Sequence, residues 1–95
     1  MVSFVAQCRR CTDNYKRQLG AWSIQEQIAH VHSEVSEVYQ AIKHGESRDR
    51  VLEEICDSIL SSITMANIAE FSDYELITGL IKTLRKVQKR AGVLQ

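Results

Sequence analysis

Apolar residues recur along this chain at steps of three and four, and the recurrence breaks into four segments. Phe4, Cys8, Cys11, Tyr15 and Leu19 share one helical face, which predicts a first helix over roughly 4–19 with Gly20 as its stop. The stretch SIQE, Ser23 to Glu26, is a capping box in which the serine oxygen and the glutamate satisfy orphan amides at a helix start. It opens a second helix whose Ile24, Ile28, Val31, Val35, Val38 and Ile42 form the alternating seam of an antiparallel bundle. Gly45 stands where that helix should stop, and the polar link GESRD leads into a third helix from about Arg50 to Ala69. Leu52, Ile55, Ile59, Ile63 and Ala66 line one face of it, and its far side is hardly more polar. A second capping box, SDYE from Ser72 to Glu75, opens a fourth helix bearing Ile77, Leu80, Ile81, Leu84 and Val87, with Gly79 as a mild weakness. With no proline and no repeat, linker or low-complexity segment, the pattern predicts one all-α domain over residues 1–95, a four-helix antiparallel bundle.

Length and charge narrow the picture. A chain of 95 residues buries only about two-thirds of the surface its unfolded form exposes, so its stability is expected to lean on a partner copy, as a dimer or a dimer of dimers. Twelve basic and twelve acidic residues cancel, so no whole-molecule field argues for a nucleic acid polymer or a membrane surface. The start of the chain lacks the apolar core of a signal peptide, and the most apolar run, Ile55 to Ala69, is interrupted by Asp57, Asn67 and several hydroxyls. A soluble, cytoplasmic protein is the expectation, and three cysteines, too sparse for a disulfide framework, agree with it. Cys8-x-x-Cys11 with His30 and His32 is a weak zinc pattern, and helix packing is the preferred reading of these cysteines.

Two carboxylate pairs carry the candidate chemistry. Glu34 and Glu37 lie about 60° apart on the second helix, and Glu54 and Asp57 do the same on the third. A single such pair is usually a solvated face. Here, however, no lysine or arginine occurs from Gln18 to Ile42 or from Val51 to Ile81, so these acids are read as lacking a local cation. Between Ile55 and Ala69 the only charged residue is Asp57, which suggests partial burial. Packed antiparallel across GESRD, the two helices can bring both pairs to one level as an oxygen-rich cage. Clustered buried carboxylates repel unless paired or metal-bound, and the hard cations Mg2+ or Mn2+ suit such a cage.

Other groups surround this site. His30 and His44 fall on the same side of the second helix as its glutamates, but the Glu-x-x-His spacing of di-iron bundles is missing, so they are read as rim or surface groups. On the final helix Lys82, Arg85, Lys86, Lys89 and Arg90 form a basic run. It either complements the helix dipole and keeps the surface soluble, or brings Lys82 or Arg85 to a phosphate held by the metals.

The segment WSIQEQIAHVHSEVSEVYQAI, followed by LEEICDSILSSITMANIAEFSDYEL, resembles the MazG-like members of the all-α nucleoside triphosphate pyrophosphohydrolases from Trp22 to about Arg90. That family carries E-E-x-x-E on one helix and E-x-x-D on the next, and the matching positions are Glu34, Glu37, Glu54 and Asp57. Asn67 matches a position where an asparagine faces the nucleotide. Ser33 stands where the family has the first acid of its E-E pair, Ser36 at its common small residue, and Cys56 precedes Asp57. The resemblance implies hydrolysis of a nucleoside triphosphate between its α and β phosphates, giving the monophosphate and pyrophosphate. Mg2+ held by the four carboxylates would activate a water, with Glu34 or Glu37 as the base. Trp22, Phe4 and Tyr15 are candidates to stack on the base, against the more ordinary reading that they are core. Two alternatives stay open: a non-catalytic helical dimer that binds metal or a basic partner, which Ser33 favours, and the related phosphoribosyl-ATP pyrophosphohydrolases.

Overall fold

The computed structural model describes residues 2–19 and 22–92, with side chains for residues 3–14 and 22–92. Four helices follow one another: α1 Val2–Leu19, α2 Ile24–Lys43, α3 Arg48–Ile68 and α4 Asp73–Arg90. No strand occurs among the described residues, so the all-α reading holds. α1 begins two residues before the expected Phe4, and α3 begins at Arg48 instead of Arg50, because the Ser47 hydroxyl accepts the amide of Arg50 and caps the helix earlier. The expected stop at Gly20 and the side chains of Tyr15 and Leu19 lie outside the described residues.

Local chemistry sets the other ends. Ser23 with Glu26 and Ser72 with Glu75 form reciprocal capping boxes at the starts of α2 and α4. α2 ends at His44, where the amides of Gly45 and Glu46 bond back to the carbonyls of Ile42 and Ala41, and Gly45 takes φ +65°. This is a Schellman stop, and glycine enters its left-handed position without steric cost. α3 ends in the same way, through Glu70 to Asn67 and Phe71 to Ala66, but here the left-handed residue is Glu70, at φ +68°.

Packing is uneven. α2 and α3 form the main antiparallel pair across the short link, α1 lies against α3, and α4 leans on α1. Arg9 on α1 pins the start of α4, its Nε 2.6 Å from Oδ1 of Asp73 and its Nη2 donating to the carbonyl of Phe71. The radius of gyration is 15.4 Å, against about 12 Å for a compact domain of this length, so the protomer is open.

Sequence periodicity pointed to apolar seams, yet the α2–α3 interface buries a different stripe. Gln27 and Ala41 of α2 and Glu54, Ser61 and Asn67 of α3 are buried, while Val35, Ile42, Leu52, Ile59 and Leu84 are more than half exposed. The apolar residues of the third helix do lie on one face, but that face is largely exposed within one protomer. α3 turns its polar stripe to α2, and its apolar face is left for other surfaces.

Candidate metal centre

The carboxylate pairs meet across the α2–α3 pair. One carboxylate oxygen each from Glu34, Glu54 and Asp57 lies within 4.8 Å of the others. Two oxygens opposite one another on a single cation, at about 2.0–2.6 Å each, sit about 4–5 Å apart, so the spacing suits a shared ion. Glu37, one helical turn after Glu34 and exposed, reaches hydrogen-bonding range of Glu54. That contact joins two acceptors unless a proton or a cation intervenes.

Burial makes this arrangement costly. Glu54 is only 3% exposed, and its carboxyl is pushed above the usual range by that burial, by the hydrogen bond with Glu37 and by the charges of Glu37 and Asp57, against the opposing pull of Arg50. No donor among the described residues reaches the buried Oε2 of Glu34 or Oε2 of Glu54. Buried acceptors are normally paired, and two orphaned carboxylate oxygens beside a third acid fit a bound cation. The donors are all oxygen, which selects a hard divalent ion.

The reading that these acids lack a local cation is corrected for Glu54. Nη2 of Arg50 stands 2.6 Å from Oε1 of Glu54, four residues ahead on the same helix turn. Arg50 lies one residue before the cation-free stretch that begins at Val51, so a scan of that stretch misses it, whereas the i, i+4 spacing would have found it. His30 is also drawn in, its Nε2 3.1 Å from Oε1 of Glu34, while His44 is the exposed end of α2.

A hollow of about 200 Å³ adjoins the His30 side of the cluster, lined by His30, Cys11, Thr12, Gln27, Ser61 and Thr64. Trp22 borders this region, its indole Nε1 donating to Oε1 of Gln27 at 2.8 Å, and Gln27 in turn donates to the carbonyl of Ser61 at 2.9 Å. Asn67 is 4% exposed and donates through Nδ2 to the hydroxyl of Thr12, 3.3 Å away, leaving its Oδ1 buried without a partner. Gln27 and Thr12 carried no signal in the sequence, since a lone amide or hydroxyl on a helix has no distinctive spacing. Lys82 and Arg85 are exposed on α4 and form no ion pair among the described residues, so the fold of one protomer does not join them to the carboxylates. Among the described residues the group of three able to hold a metal is the carboxylates; Cys11 and His30 share the hollow, and burial, with Cys11 beside it, pushes the Cys8 thiol up.

Fold and site thus define an all-α protein with a carboxylate cluster gathered across a pair of antiparallel helices. Residues 23–93 match the family described as the MazG nucleotide pyrophosphohydrolase domain, and the chain belongs to that family. No curated protein and no solved structure matches the chain. Among the described residues no helix is long and apolar enough to cross a membrane.

Proposed function

We propose that the protein hydrolyses nucleoside triphosphates between the α and β phosphates, releasing the monophosphate and pyrophosphate, with Mg2+ or Mn2+ bound by Glu34, Glu54 and Asp57 and with Glu37 beside them. The observation that carries this reading is the pair of buried, donorless oxygens of Glu34 and Glu54 within a three-carboxylate group, in a chain of the MazG family. When bound, the divalent ion supplies charge neutralisation of the phosphates and a lowered pKa for water.

The chain's own groups do the rest. Glu34, Glu54 and Asp57 fix the oxygen geometry on two rigid helices. Glu37 is exposed and stands outside the three-oxygen group, so it is the carboxylate suited to accept the proton of the attacking water. The hollow beside His30 is the space for the nucleoside, with Trp22 at its border and Asn67 behind Thr12. Lys82 and Arg85, free of ion pairs among the described residues, are the groups to meet the phosphates, brought there by a second copy in a homodimer or homotetramer. The setting we propose is cytoplasmic.

Pyrophosphate release from a mixture of nucleoside triphosphates tests this directly. The expected result is release that requires Mg2+ or Mn2+ and is lost in Glu54→Gln and Asp57→Asn while both variants stay folded. Metal binding without any hydrolysis would overturn it in favour of the non-catalytic helical dimer.

A further inference from the structure

We propose that Arg50 is a positioning residue for the metal centre: its guanidinium grips one oxygen of Glu54 and so leaves the other buried, donorless and held in place for the cation. The proposal rests on the metal-dependent reading above. Nη2 of Arg50 is 2.6 Å from Oε1 of Glu54, and Oε2 of the same carboxylate has no partner among the described residues. One carboxylate is therefore divided between an internal cation and an open valence.

The grip is itself braced. Nη1 of Arg50 lies 3.2 Å from Glu53, Nε lies 4.0 Å from Glu46, and the backbone amide of Arg50 is bonded to the cap hydroxyl of Ser47. A planar guanidinium can hold such divergent acceptors at once, whereas a lysine ammonium is a single point of attachment. Partners behind a metal ligand fix its rotamer, and here the need is greater because Ser33 carries no charge. A cation this close also repels an incoming metal ion. The guanidinium is about half exposed, so water screens that repulsion, while the orientation it imposes on a buried carboxylate is not screened.

Calorimetric titration of Mn2+ into the nucleotide-free protein separates these effects. Arg50→Ala is expected to weaken Mn2+ binding about ten- to a hundredfold, the span usual for loss of a group that orients a ligand. Arg50→Lys should recover part of the loss, and Glu53→Gln, which removes one of several braces, should weaken binding less than Arg50→Ala does. Unfolding curves in EDTA verify that each variant is folded, and should Arg50→Ala not fold, Arg50→Lys carries the test by binding more weakly than the wild type. Mn2+ binding by Arg50→Ala as tight as the wild type, or tighter, overturns the proposal. A wild-type protein that binds no Mn2+ overturns the metal reading itself, which is a different result.

Discussion

Glu54 concentrates the tension of this molecule in one side chain: it is buried, surrounded by Glu34, Glu37 and Asp57, and gripped by Arg50. Its place in the cluster was legible in the sequence as far as acids spaced by a helical turn can reveal, because two such pairs in cation-poor stretches are unusual. The grip of Arg50 was less so, because Arg50 lies one residue before the cation-free stretch that begins at Val51. A second residue under strain is Glu70, which holds φ +68° at the end of α3 where α2 uses Gly45. A side chain in the left-handed region costs roughly 1–2 kcal/mol, partly offset in any glycine replacement by the greater freedom of the unfolded chain. Removing an acid from the negative end of the helix dipole adds to the gain. Glu70→Gly should therefore stabilise the protein by about 1 kcal/mol, which for a domain of this size raises the thermal midpoint by about 4–8 °C. A midpoint that stays put or falls would mean that the αL stop is held by other contacts.

The elements were the most legible level. Serine three residues before glutamate opens both α2 and α4, because side-chain oxygens and amides meet only at that spacing. At α4 the carboxylate of Glu75 accepts the backbone amide of Ser72 at 3.0 Å, and this bond, together with the Ser72 hydroxyl, lowers its pKa below the ordinary carboxylate value. A lowered folded-state value means the cap stabilises above the unfolded value and the contribution is lost as pH falls through the folded one. The gap in urea midpoint between the wild type and Glu75→Gln is thus expected to be present at pH 7 and to shrink as pH falls below the ordinary glutamate value of about 4.3. An equal gap in neutral and acid solution would remove the charge from the account of this cap. Ser72→Ala should cost about 1 kcal/mol at pH 7 and less in acid, because the lost cap on the Glu75 amide is felt at every pH while the lost bond to its carboxylate is felt only when that group is charged.

At the scale of the whole molecule, the periodicity identified apolar faces correctly but could not say what covers them. Ile59, Leu84 and Val87 are more than half exposed, and the protomer extends over 46 × 38 × 24 Å. Apolar stripes this broad on an open chain call for a self-complementary partner, so sedimentation should give a dimer or tetramer, and Leu84→Glu should shift it toward the monomer. A folded wild-type monomer at micromolar concentration would contradict this. The central claim is narrower: two helices bring carboxylates together for one divalent cation. A crystal grown with Mn2+ and a non-hydrolysable triphosphate tests it most directly through the anomalous signal of manganese. The account predicts a peak bonded to oxygens of Glu34, Glu54 and Asp57, with phosphate oxygens completing its shell. Manganese found elsewhere, or none between these carboxylates at saturating concentration, would contradict it.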